Sequence, residues 1–250
     1  MAERDSEVGG GIIAGALAYR LFIWMLPLGL VAVAGLGFAA EVSSDSPKEA
    51  AGALGLEGLI SSSIANAANS PNRWYALLIG VPVLIWVTRS LHRVLIGAHR
   101  LVWTDDRTRA PKPKLGASLG LLGLLLCFGI ISGAASAVRA WSTGPGVVAT
   151  LAAFVAYTVL WLFISYRLPH RGTPWAALLP GAVVVGLGLE VLHAVIVYVI
   201  TPWALAKQGT YGALGVAAAL LVGLFLVSRL VVASAVVNAT LWERRVPSAA

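Results

Sequence analysis

The chain has 250 residues, 58% of them hydrophobic and only 12% charged, with a net charge of +7 and a mean hydropathy of +0.85. Soluble domains carry roughly twice that share of charge, so composition excludes a soluble globular protein and places the chain in a bilayer. In a soluble chain the basic excess would point to nucleic acid; here it fits basic cytoplasmic loops beside anionic lipid.

The N-terminus, MAERDSEVGGG, is polar and mixed in charge. The apolar run after it is too long for a signal h-region, so no cleavable signal peptide is expected. The first span is residues 11–40. Pro27 lies in its middle, where a kink or break is expected. Arg20 reads as an interfacial anchor whose long stem snorkels. Residues 41–72 differ in kind, with Ser, Asp, Pro, Asn and Gly in number and the acidic Glu41, Asp45, Glu49 and Glu57. Leu56, Leu59, Ile60 and Ile64 recur there at helical spacing. That predicts an extracytoplasmic amphipathic segment lying on the membrane surface or over the bundle.

The second span is residues 74–91, and residues 92–114 form a basic cytoplasmic loop. Its polar part is TDDRTRAPKPK, where Pro111 and Pro113 stop any helix. His92 and His99 stand beside Arg93 and Arg100, which reads as a basic surface that repels a cation. The third span, residues 115–138, carries Gly116 and Gly120 as a GxxxG close-approach face. Its one cysteine, Cys127, is the only one in the chain, so no intramolecular disulfide forms and the thiol reads as a small packing residue. The fourth span is residues 146–166, and the short link RLPHRGT predicts that it and the fifth are antiparallel neighbours. The fifth span, 174–200, and the sixth, 211–242, are joined by a polar turn at 201–210. Gly215, Ala219 and Gly223 form a small-residue stripe in the sixth.

Counting Lys and Arg by loop orients these six spans. One side has Arg89, Arg93, Arg100, Arg107, Arg109, Lys112, Lys114, Arg167, Arg171, Arg244 and Arg245; the other has Lys48, Arg73, Arg139 and Lys207. The bias predicts both termini in the cytosol, which an even number of spans requires.

Two charges stand inside apolar runs: Glu190 in the fifth span and Arg229 in the sixth. Counted from the cytoplasmic ends at 1.5 Å per residue, they lie at depths of about 24 Å and about 20 Å. An ionised group at mid-membrane costs about 2.5–3.5 kcal/mol on insertion scales, so each needs a partner. The expectation is that Glu190 meets Arg229 in the bundle, with His193 on the same helical face as Glu190. Such a site would bind a polar headgroup or relay a proton; the plainer alternative is a structural ion pair that fixes helix register. Asn238, near the inner end of the sixth span, joins the candidate substrate-binding set. The chain has no Walker loop, GxSxG, CxxC or HExxH, so no enzyme activity, cofactor or metal site is expected.

The chain resembles the YihY/BrkB family of bacterial inner-membrane proteins, once misnamed ribonuclease BN. The residues that carry the likeness are Leu168-Pro169-His170-Arg171, Pro174-Trp175, Leu179-Pro180-Gly181-Ala182, Glu190, Tyr211-Gly212-Ala213-Leu214-Gly215 and Asn238-Ala239. Ala16-Leu17-Ala18-Tyr19 with Pro27, and Trp86 with Arg89, are similar to the family's first and second spans. The resemblance runs from about residue 12 to 242 and implies six helices with cytosolic termini. It links the chain to serum resistance and to lipid or lipopolysaccharide export. Two departures stand out. Where the family has a Gly-Ala-Glu-x-Asn pattern, this chain reads Ser234-Ala235-Val236-Val237-Asn238 and lacks the acid; Arg20 and Arg229 replace small, apolar or aromatic residues.

The expected fold is therefore an all-α, polytopic membrane protein with six transmembrane helices in one domain. The expected function is transporter-like, binding or moving a lipid or amphiphile at Glu190, His193, Arg229 and Asn238, with Pro27, Pro180 and Pro202 breaking helices around the cavity. The alternative is a non-transporting scaffold whose basic loop binds a partner or anionic lipid. A nuclease, with nucleic acid as partner, is the least supported reading, for want of an acid–base or metal cluster. Membrane lipids are the expected partners, and the oligomeric state is open.

Overall fold

A computed structural model of the chain describes residues 2–43, 73–104, 108–139 and 143–245. The described residues hold helices and no strand, so the fold is all-α. Six of the helices are long and apolar enough to cross a membrane. In chain order the described helices are α1 (Ala2–Glu7), α2 (Gly10–Ser43), α3 (Arg73–Thr104), α4 (Leu115–Arg139), α5 (Thr143–Arg167), α6 (Trp175–Val195) and α7 (Thr201–Arg245), all but α1 long enough to span, with a π-helical turn, Ile196–Ile200, between α6 and α7. Most of the amphipathic segment read at 41–72 lies outside the described residues, as do Asp105 and Asp106.

α5 and α6 each turn a stripe of large apolar side chains outward, and α6 buries mostly small ones. On α6 the exposed stripe is Trp175, Leu179, Val183, Leu187 and Val191, every fourth residue, while Ala177, Gly181, Ala182, Val185 and Gly186 are buried. On α5, Val147, Leu151, Val155, Val159 and Phe163 make the same outward stripe. Such surfaces would aggregate in water. In a bilayer, where the solvent is itself apolar, close backbone approach through small residues holds helices together.

The chain divides into two compact units. One comprises Met1–Phe22, Leu91–Pro113 and Ala153–Ala250. In it α6 and α7 run antiparallel, and glycines set their register. A side chain at Gly181 would strike the Ser234 carbonyl and the Asn238 amide, and one at Gly188 would strike Leu230. Gly186 lets α6 close on α5, against Thr158 and the Phe154 carbonyl. Buried polar groups lock this arrangement. Trp161 Nε1 donates to Ser234 Oγ (2.9 Å), which donates on to the Val231 carbonyl (2.8 Å). The Gly181 amide donates to Asn238 Oδ1 at 2.7 Å. It follows Pro180, whose ring disturbs the local helical ladder, and Asn238 supplies an acceptor there.

The turn between α5 and α6 belongs to this unit. Arg171 (φ 53°) and Gly172 (φ 68°) both adopt the left-handed conformation, and Thr173 Oγ1 closes the turn on the His170 carbonyl at 2.6 Å. The tight reversal explains why the short link makes antiparallel neighbours.

The other unit comprises Ile23–Ser90 and Lys114–Ala152. Trp24 Nε1 donates to Thr88 Oγ1 (2.9 Å), which donates to the Leu84 carbonyl (2.7 Å). Gly80 sits against Val31 and Leu30. Arg139 Nε donates to Thr150 Oγ1 at 3.0 Å.

Several boundaries differ from the sequence reading. α3 does not end at residue 91 but runs to Thr104, so much of the expected basic loop is helix. Leu91, Leu95, Ala98 and Val102 form its buried stripe, and His92 and His99 join that buried face instead of a basic surface. The segment after it folds back: Arg93 Nε donates to the Ala110 carbonyl (2.9 Å) and Arg100 Nη2 to Thr108 Oγ1 (3.2 Å). α2 continues through Pro27 without a break, and the polar turn expected at 201–210 is the helical start of α7. Gly116, Gly120 and Gly223 have nothing within 4 Å of a Cβ among the described residues, whereas Gly80, Gly181, Gly186 and Gly188 pack closely against a neighbouring helix.

Gly181→Leu is expected to unseat α6 from α7 and abolish the monodisperse peak in detergent chromatography. Gly120→Leu should leave thermal stability at the wild-type value. Asn238→Ala should cost about 1–2 kcal/mol in denaturant unfolding, through the lost bond between helices.

Candidate functional site

Arg229 lies on α7 within the apolar span Ala218–Arg245. Its guanidinium forks onto one carboxylate: Nη2 is 2.8 Å from Asp5 Oδ2, and Nη1 is 3.2 Å from Asp5 Oδ1. This is the bidentate geometry that suits a planar guanidinium. Both side chains are about one-third to one-quarter exposed, 33% for Arg229 and 27% for Asp5.

The local sequence explains how Asp5 arrives there. α1 is a single short helix, and Gly9 ends it in the left-handed conformation (φ 65°). The Val8 amide donates to the Arg4 carbonyl and the Gly9 amide to Ser6. The Ile12 and Ile13 amides then pick up the Gly9 carbonyl and start α2. Gly10 is buried at the crossing point: a Cβ there would collide with the Asp5 carboxylate and lie 2.9 Å from Arg229 Nη1. Gly9 and Gly10 thus do different work, one turning the chain and the other clearing space for the ion pair.

α1 is held a second time by Arg4. Its guanidinium pairs with Glu243 near the end of α7, and Nη2 donates to the Val102 carbonyl on α3 at 2.7 Å. Glu243 also faces Arg171 of the α5–α6 turn at 4.0 Å. Beside α1 lies a cleft of about 420 Å³, lined by Ser6, Glu7, Val8, Gly9, Gly97, Leu101 and Thr108.

Glu190 and His193 are half-buried on α6, less than one turn apart. The register fixed by Gly181 against Asn238 and Gly188 against Leu230 brings Glu190 level with Ser228 and Arg229 on α7. Arg229 also lies against Gly10, where α2 begins, so its partner on this side is the N-terminal segment and not a neighbouring span. Asn238 is 2% exposed, and its carbonyl oxygen is occupied by Gly181; it reads as a helix staple. Asp5 was absent from the sequence-based site because it precedes every apolar run. The signal was present: an acidic pair, Asp5 and Glu7, followed by three glycines that allow the segment to fold back.

A family model described as virulence factor BrkB matches residues 3–250, and the chain belongs to that family. No curated protein and no solved structure matches it significantly.

The Asp5–Arg229 pair should show a coupling of about 1–2 kcal/mol in a double-mutant cycle of Asp5→Asn and Arg229→Gln, read from denaturant unfolding in detergent. Additive effects would mean the fork contributes nothing to stability.

Proposed function

We propose that this BrkB-family membrane protein binds, and moves, a lipid or other amphiphile through a polar site in the membrane around Glu190, His193 and Arg229. The observation that carries the reading is the level placement of a carboxylate-bearing and a guanidinium-bearing residue on two packed apolar helices. Ionisable groups at that depth are costly, and they mark ligand or ion pathways more often than they add stability. Arg229 supplies a fork for an anionic headgroup, while Glu190 and His193, one helix away, suit its hydroxyl or amine groups. The outward stripes of α5 and α6 would accommodate acyl chains alongside.

In this reading the protein is a non-enzymatic, multi-pass protein of a bacterial plasma membrane. The weight of Arg and Lys at 89–114, 167–171 and 244–245 favours cytoplasmic termini, and its partners are membrane lipids, not nucleic acid. A second reading, a scaffold that meets anionic headgroups or a cytosolic partner, draws on the exposed Arg109, Lys112 and Lys114. It is weakened because Arg93 and Arg100 are used to pin their own loop.

Native mass spectrometry of the protein released from native-lipid nanodiscs separates the two. A discrete retained lipid or glycolipid is expected in the wild type and should be lost in Glu190→Gln or Arg229→Ala. A wild type that retains nothing, with variants that are merely less stable, would sink the binding-site reading.

A further inference from the structure

We propose that Asp5 is a tethered internal ligand. The Arg229 fork is an anion site that the chain's own N-terminal helix fills, and the phosphate of a headgroup with net negative charge takes the same fork by displacing α1. This deepens the preceding reading and rests on Arg229 belonging to its site.

Three observations point this way. First, the fork is built for a planar or tetrahedral oxyanion, and two carboxylate oxygens occupy it as a bidentate phosphate would. Second, the carboxylate comes from a six-residue helix outside the membrane spans. Its described anchors are polar: the Asp5 pair, the Arg4 pair with Glu243 and the Arg4 bond to the Val102 carbonyl. Polar anchors of this sort are exchangeable, because water or a competing anion replaces each of them. A purely structural counter-ion for a buried arginine would be more economically placed on a neighbouring span. Third, α1 is built to hinge: the left-handed Gly9 forms the joint with α2, and an open cleft of about 420 Å³ borders its Ser6–Gly9 end, which is therefore not fully packed.

Competition in such a site is set by effective concentration. A short tether presents Asp5 to Arg229 at roughly millimolar levels. Anionic headgroups confined to a leaflet are far more concentrated than a dilute solute, so they are suited to compete. When one binds, the guanidinium keeps a counter-charge throughout, and no bare cation is left at depth. The ligand is thus recognised by its phosphate-type anion, and the bilayer and the aqueous phase are its two sources.

The test is a distance measurement by pulsed electron paramagnetic resonance. Spin labels go on Ser6→Cys and Arg244→Cys in a Cys127→Ser background, both positions being exposed. The protein is placed in nanodiscs of phosphatidylcholine, of phosphatidylcholine with phosphatidylglycerol, or of phosphatidylcholine with inorganic phosphate in the buffer. One short distance is expected in phosphatidylcholine alone, and a second, longer one with phosphatidylglycerol. Asp5→Asn should populate the longer distance without any anion and raise phosphatidylglycerol retention several-fold. Arg229→Gln should remove the dependence on phosphatidylglycerol. A response to inorganic phosphate alone would keep the exchange but assign the fork to small soluble anions, and the lipid reading would fall. A single, unchanged distance in every lipid and in Asp5→Asn would overturn the tethered-ligand proposal. Lipid retention sensitive to Glu190→Gln would still leave the preceding reading standing.

Discussion

A guanidinium inside an apolar span sets the terms for everything near it. Hydrocarbon offers the Arg229 guanidinium nothing to replace its hydration. The protein brings a carboxylate to it from the opposite end of the sequence, and that requirement shapes the N-terminus. α1 must fold back, so Gly9 takes a left-handed turn; the ion pair must fit beneath the start of α2, so residue 10 has no side chain. Remove the charge from position 229, and the reason for this geometry goes with it.

The rest of the helix packing follows a second constraint, that a bilayer gives no hydrophobic reward for bringing helices together. Two devices replace it. Glycines at 181, 186 and 188 allow backbones to approach, and each packs against a different feature of its neighbour. Indole and hydroxyl groups then bridge helices, with Trp161 to Ser234 in one unit and Trp24 to Thr88 in the other. In both bridges the hydroxyl passes its own proton to a carbonyl of its own helix, so its donor capacity is used.

The spans were legible because length and hydropathy are sufficient for them. The end of the second was not. Arg89 and Arg93 looked like the edge of the membrane, yet Leu91, Leu95, Ala98 and Val102 continue the helical stripe to Thr104. The period was there to be read, and charge outweighed it. The glycines show the opposite failure. Gly116 and Gly120 match a spacing rule but meet no described neighbour, whereas Gly181 and Gly188, seven residues apart, carry the packing. Spacing identifies a smooth face without saying what covers it. At the site, the register of α6 against α7 sets Glu190 level with Arg229, a pairing along the helices that counting residues could reach. Asp5 could not be found that way, since its partner lies 224 positions away and nothing local links the two.

Glu243 connects these observations. It accepts Arg4 from α1 and faces Arg171 from the α5–α6 turn, so one carboxylate near the end of α7 links the N-terminal helix to the reversal that orders α5 and α6. Half-exposed pairs of this sort contribute little stability individually. Their value lies in being reversible. An N-terminal helix held by apolar burial could leave only by exposing that surface to water, whereas one held by Arg4 and Asp5 leaves by exchanging ions. The same polar contacts that make α1 a weak contributor to the fold make it suited to yield its place to another anion.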